Sequence, residues 1–133
     1  MNYLKDRRIL VIDDTDAIRS FLRISMEAYG ATFLEADTAM KGLAMATESE
    51  PDLVVLDLGL PDRDGLDILN DIKTIANPPQ VIILSVRKDR NVKETAFSRG
   101  ADSYLTKPFM MDDLMDTINE RLAKLTDRKS DRV

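Results

Sequence analysis

Three aliphatic runs in this chain end in a carboxylate or a hydroxyl, and a Lys-Pro step follows a fourth, shorter run. Ile9-Leu10-Val11-Ile12 leads into Asp13-Asp14, Leu53-Val54-Val55-Leu56 into Asp57, and Val81-Ile82-Ile83-Leu84 into Ser85, while Tyr104-Leu105-Thr106 precedes Lys107-Pro108. Asp13, Asp14 and Asp57 cannot be crowded together without a cation, because two unit charges about 4 Å apart repel by roughly 4 kcal/mol at an effective dielectric near 20. Hard oxygen donors without nitrogen or sulfur partners favour Mg²⁺, which binds through one or two carboxylates, water and a substrate phosphate. Lys107 is a point charge suited to a phosphoryl oxygen, and Ser85 can donate a hydrogen bond to another. Asp57 is then the candidate nucleophile, since carboxylates form acyl phosphates. Phosphoryl transfer needs mostly positioning and charge neutralisation, and these residue types supply both.

Each feature also has a bland explanation. Asp13-Asp14 could be a helix cap with surface charge, and Asp57 could be turn chemistry before a Gly/Pro/Asp-rich loop. Their joint occurrence after successive aliphatic runs is what points to a site. Buried parallel strands read as continuous aliphatic runs because helices cover both faces of the sheet, and ligands bind outside the carboxyl ends of such strands.

Five aliphatic runs alternate with five segments of helical spacing, the pattern of an α/β fold. Ile18, Phe21, Leu22, Ser25, Met26 and Tyr29 recur at three- and four-residue steps before Gly30. Asp37 or Thr38 caps a second helix that packs through Met40, Leu43, Ala44 and Thr47. Asp64-Gly65 opens a third, with Leu66, Ile68, Leu69, Ile72 and Ile75 inward. The fourth runs from about Asp89 to Arg99 on a thin stripe of Val92, Ala96 and Phe97, and the last carries Leu114, Ile118, Leu122 and Leu125. The strongest runs belong in the middle of the sheet and the short, mixed ones at its edges. The expected fold is a doubly wound, five-stranded parallel sheet of order 2-1-3-4-5, flavodoxin-like, with right-handed crossovers.

A chain of 133 residues with 44% hydrophobic composition is expected to form one domain with a proper core. Residues 1–125 are assigned to it and 126–133 to a polar tail or linker stub. There is no cysteine and no histidine, which excludes disulfides, thiolate chemistry and imidazole catalysis. The charged start, Met1 to Arg8, followed by four aliphatic residues, does not read as a signal peptide. No stretch approaches a membrane span, so a cytoplasmic location is expected. A net charge of −5 argues against direct nucleic-acid binding by this chain.

These residues resemble the receiver domain of two-component response regulators. The resemblance runs from about Arg8 to Lys124 and is carried by Val11-Ile12-Asp13-Asp14, by Val55 to Gly65, by Ile83-Leu84-Ser85, and by Gly100 to Phe109. It implies that Asp57 is phosphorylated by a partner histidine kinase or phosphotransfer protein. It implies that Asp14, Asp57 and the Gly59 carbonyl bind Mg²⁺ directly and Asp13 through water. Lys107 would contact the phosphoryl group, its bond to Pro108 would be cis, and Ser85 and Tyr104 would form a switch pair. Such a domain is not an enzyme in the usual sense; it assists its own aspartate phosphorylation and dephosphorylation.

The thin apolar stripe of the fourth helix marks a weakly anchored element that can move at low cost, so the fourth helix, fifth strand and fifth helix are expected to form the output face, for a downstream protein or for a phosphorylation-dependent homodimer. Ser103 and Thr117 stand where the winged-helix transcription-factor branch places an aspartate and an arginine that pair across its dimer, whereas Lys93 and Leu58-Gly59-Leu60-Pro61 match that branch. Val86 replaces the usual small residue after Ser85. The chain is expected either to act as a stand-alone regulator, the reading taken, or to be the receiver part of a longer transcription factor with a missing effector domain. Two rivals fit less well. An aspartate-nucleophile phosphohydrolase of the haloacid-dehalogenase type would use Asp14-Thr15-Asp16, but the lysine here precedes proline and no acidic strand end follows it. A flavin-binding module would want glycine after the first strand, where the turn is acidic.

Overall fold

The computed structural model describes residues 2–131, with side chains over residues 2–125. Its elements alternate as β1 (Arg8–Ile12), α1 (Asp16–Ala28), β2 (Thr32–Ala36), α2 (Ala39–Ser49), β3 (Leu53–Leu56), α3 (Gly65–Lys73), β4 (Gln80–Ser85), α4 (Arg90–Ser98), β5 (Ser103–Thr106) and α5 (Met111–Asp131). The strands form one parallel sheet in the expected order β2-β1-β3-β4-β5. The most continuous aliphatic runs therefore occupy the three central strands.

Side chains alternate across the sheet with the two-residue period of a strand. Leu10, Ile12, Val54, Leu56, Val81 and Ile83 face one layer with Ile68, Leu69 and Ile72 of α3. Ile9, Val11, Leu53, Val55, Ile82 and Leu84 face the other with Leu22 and Met26 of α1 and Leu114, Ile118 and Leu122 of α5. Each fully buried aliphatic side chain stabilises the fold by roughly 1.5–3 kcal/mol, so both faces hold the strand ends rigidly. Gly30 and Gly100 end α1 and α4 at φ +86° and +107°, the left-handed conformation that favours glycine at a helix stop.

Three helix faces differ from the expected ones. In α2 the buried residues are Ala39, Gly42 and Ala46, with Leu43 and Met45 packed at the margin, whereas Met40, Ala44 and Thr47 are exposed. A Cβ on Gly42 would lie 2.5 Å from Ile12 Cδ1. The helix rides so close to β1 that small residues mark its inner face, and a reading based on large apolar residues is rotated away from it. In α1, Leu22 and Met26 are buried and Ile18 partly so, but Phe21 and Tyr29 are exposed and Arg19 is buried. In α4 only Ala96 is buried, and Phe97 is 49% exposed.

In α5, Leu114, Ile118 and Leu122 are fully buried as expected. Its backbone stays helical to Asp131. The polar tail expected over 126–133 falls on positions whose side chains lie outside the described residues. Among the described residues no helix is long and apolar enough to cross a membrane.

Candidate functional site

The strand register decides which side chains meet. Ile12 pairs with Ala36 and Leu56, and Leu56 pairs with Ile83, so the ends of β1, β3 and β4 are level. Three further backbone bonds carry the ladder past those ends. Asp13 N–H donates to the Ala36 carbonyl at 3.1 Å, Asp57 N–H to the Ile12 carbonyl at 2.9 Å, and Lys107 N–H to the Ser85 carbonyl at 2.8 Å. The residues that bear the functional groups are thus pinned by their own main chain.

Asp13, Asp14 and Asp57 converge as the spacing suggested, each offering a carboxylate oxygen within 4.8 Å of the others. Asp13 and Asp57 are buried and Asp14 is exposed. Lys107 Nζ lies 2.9 Å from Asp13 Oδ2 and 3.7 Å from Asp57 Oδ2, and the peptide bond to Pro108 is cis. Gly59 N–H donates to Asp57 Oδ1 at 3.2 Å. Burial pushes the Asp57 carboxyl above its ordinary range; the Gly59 N–H and the Lys107 ammonium oppose the rise, and the charges of Asp13 and Asp14 add to it. An all-oxygen donor set, partly open and incompletely neutralised by one ammonium, suits a hard divalent cation such as Mg²⁺.

Ser85 is almost wholly buried at the end of β4, and its Oγ accepts from Arg87 N–H at 3.1 Å. The Tyr104 hydroxyl donates to the Arg87 carbonyl at 2.7 Å. Its ring is half-buried and packs against the core layer of α3, with Lys93 Nζ 5.6 Å from the ring centre. The loop after β4 is therefore held at both polar ends of Arg87 by the two residues of the expected switch pair.

Four further residues support the site from around its edge. Arg19 is buried on α1 and donates from Nη1 to the Asp13 carbonyl at 2.6 Å. Asp62 caps α2 from the loop after β3, accepting from Ala39 N–H at 2.8 Å and Met40 N–H at 3.0 Å. Arg87 Nη1 approaches Asp64 Oδ2 at 3.8 Å, linking the loops after β3 and β4. Asp102 accepts from Val81 N–H at 2.8 Å and from Lys73 Nζ at 3.0 Å. Arg19, Asp62 and Asp102 were not singled out from the sequence; of these Arg19 left a legible signal, a charged residue on the inward side of an amphipathic stripe.

A family model described as the response regulator receiver domain matches residues 9–119. The chain is 40% identical over 116 residues to the KDP operon transcriptional regulatory protein KdpE of Escherichia coli, covering 87% of this chain and 51% of that protein. It is 41% identical over 118 residues to KdpE of Mycobacterium tuberculosis, covering 89% of this chain and 52% of that one. The chemotaxis protein CheY of Halobacterium salinarum is 32% identical over 117 residues, with 87% and 97% covered. The chain thus spans about half the length of the KdpE relatives and nearly all of the archaeal protein. Among solved structures, a CheY-like receiver domain protein from Methanospirillum hungatei superposes with a TM-score of 0.89 at 27% identity, covering 93% of this chain and 99% of that one.

Proposed function

The chain belongs to the response regulator receiver domain family of two-component signalling, and on that premise we propose that Asp57 accepts a phosphoryl group from a partner phosphohistidine. The observation that carries this reading is the Lys107 ammonium standing between Asp13 and Asp57 beside three convergent carboxylates. An Asp57 carboxylate oxygen forms a bond to phosphorus while the phosphorus–nitrogen bond of the donor breaks. The imidazole leaves with that electron pair and takes up a proton. Asp14, Asp57 and the Gly59 carbonyl would hold Mg²⁺ directly and Asp13 through water; when bound, the ion neutralises the charge of the carboxylates and of the incoming phosphate. Lys107 pairs with one phosphoryl oxygen, and the Ser85 hydroxyl donates to another.

The output follows from charge. A phosphoryl group adds about −1.5 to −2 charges and three acceptor oxygens. A shift of a two-state equilibrium from 1:99 to 99:1 needs about 5.5 kcal/mol of differential interaction, and charge-assisted bonds to Ser85 and Lys107 at roughly 1.5–3 kcal/mol each approach that. Moving Ser85 Oγ towards the phosphate gives up its bond to Arg87 N–H and transmits the event to the loop that Tyr104 also holds. The weakly anchored α4, with β5 and α5, is the face that changes, for a downstream protein, for an effector domain as in a longer regulator, or for a second copy of this chain. The domain works in the cytoplasm, without contacting nucleic acid or membrane itself, and assists its own dephosphorylation.

The test is incubation with acetyl phosphate and Mg²⁺ followed by intact mass spectrometry. Wild type gains one phosphoryl group and Asp57→Asn gains none. No adduct on wild type, or an adduct that survives in the variant, overturns the assignment.

A further inference from the structure

We propose that Arg19 is a positioning residue for the divalent-cation site, holding the Asp13–Asp14 peptide in the orientation that presents the Asp14 carboxylate. The inference rests on the reading of Asp13, Asp14 and Asp57 as the Mg²⁺ site. Asp13 is fixed at every polar atom of its side chain and carbonyl. Its Oδ1 accepts from Thr15 N–H at 2.8 Å, its Oδ2 from Lys107 at 2.9 Å, and its carbonyl oxygen from Arg19 Nη1 at 2.6 Å. Asp14 is different. It is exposed, and its carboxylate makes no hydrogen bond or ion pair among the described residues.

With no side-chain partner, the direction of Asp14 is inherited from its backbone. The Asp13 carbonyl and the Asp14 N–H share one planar peptide unit, so the hydrogen bond from Arg19 sets the tilt of the plane that leads into Asp14. The guanidinium is in turn immobilised. Its Nε donates to Glu35 Oε1 of β2 at 2.9 Å, and Nη2 pairs with Asp16 in the first turn of α1. Glu35 is held a second time by Arg23. A planar fork with fixed donor directions can tie the end of β1, the start of α1 and strand β2 together; a lysine ammonium cannot reproduce that geometry. Arg19 is buried, and partners that orient the ligands of a metal site govern its affinity although they do not touch the ion.

Charge and position predict opposite signs, which makes the proposal decidable. A guanidinium behind a cation site repels the incoming cation, so removing it would tighten Mg²⁺ binding if charge were its only influence. If Arg19 acts by position, removing it loosens Mg²⁺ binding despite the relieved repulsion. The experiment titrates Mg²⁺ into wild type, Arg19→Gln and Arg19→Lys, following amide chemical shifts by NMR, with thermal denaturation recorded in parallel. The expected result is Mg²⁺ affinity weaker by about ten-fold in both variants. Equal or tighter binding in Arg19→Gln overturns the proposal, even if its melting temperature falls, because a merely structural role moves only the latter. Should Arg19→Gln fail to fold, Arg19→Lys decides alone: weaker binding supports the positioning role, and wild-type affinity overturns it. A wild type that binds no Mg²⁺ refutes the underlying site instead.

Discussion

Asp57→Asn removes one charge from the strand-end cluster while keeping the shape of the side chain and an acceptor for the Gly59 N–H. The three carboxylates bring oxygens within 4.8 Å of one another, where a like-charged pair repels by about 3.5 kcal/mol at an effective dielectric near 20. Asp57 has two such neighbours, and Lys107 Nζ at 3.7 Å returns about 4.5 kcal/mol on the same scale. Roughly 2 kcal/mol of repulsion stays unopposed, before the cost of burying the charge. Burial and the neighbouring acids raise the folded-state pKa of Asp57, so the native state binds the proton more tightly than the unfolded chain. Stability therefore falls as pH rises through the window between the two values.

At neutral pH and without divalent cation, Asp57→Asn is expected to be more stable than wild type by about 2 kcal/mol, or roughly 6–10 °C in melting temperature. The gain shrinks as pH falls and is lost below about pH 4, where the carboxyl becomes protonated in both states. Added Mg²⁺ reverses the trend, because it binds and stabilises the native wild type while the variant has lost a ligand charge. Thermal denaturation at two pH values, with and without MgCl₂, measures all three effects. A variant no more stable than wild type at neutral pH without Mg²⁺ would refute the electrostatic reasoning.

Two other substitutions probe the elements that place the cluster. A methyl at Gly65 would sit 2.5 Å from Leu58 Cα and 2.7 Å from the Asp57 carbonyl oxygen; both are backbone atoms, so the strand end must move. Gly65→Ala is expected to lose about 1–2 kcal/mol net of its helix gain and to be phosphorylated more slowly by acetyl phosphate, whereas wild-type values for both would contradict the close-approach argument. Asp62 takes two backbone N–H bonds, from Met40 and Ala39, which hold its pKa below the ordinary 3.8. The stability it contributes is complete above that value and is lost as pH falls through the lowered one. Asp62→Ala should melt lower at neutral pH, with the gap closing in acid; a gap that persists at the lowest pH would show that the capping charge is not its source.

The sheet was legible because its logic is one-dimensional. Runs such as Ile9 to Ile12 and Val81 to Leu84 are aliphatic throughout because both faces of those strands are covered, and the residue after each run inherits a place at the common edge. That is why the sequence alone gathers Asp13, Asp14, Asp57, Ser85 and Lys107 at one edge. The helix faces were less legible where packing is tight. The inner face of α2 is Ala39, Gly42 and Ala46, small residues on a helix that meets Ile12 closely at Gly42, so size rather than hydrophobicity marks it. Phe97 looked inward by spacing and is half exposed, because α4 buries only Ala96. The supports of the site were the hardest to foresee. Asp62 acts on α2 and Asp102 on the start of β4, and pairings between distant segments leave no periodic trace. Arg19 left a partial one, a cation inside an apolar stripe, whose partners Glu35 and the Asp13 carbonyl emerge only when β1, β2 and α1 are packed together.

Chemical trapping tests the central claim most directly. Borohydride reduces an acyl phosphate of aspartate to homoserine, so treatment after incubation with acetyl phosphate and Mg²⁺ marks the phosphorylated side chain for peptide mass spectrometry. Conversion is expected at Asp57 and at no other acidic residue. Reduction at Asp13 or Asp14, or an Asp57 peptide left unmodified, would contradict it.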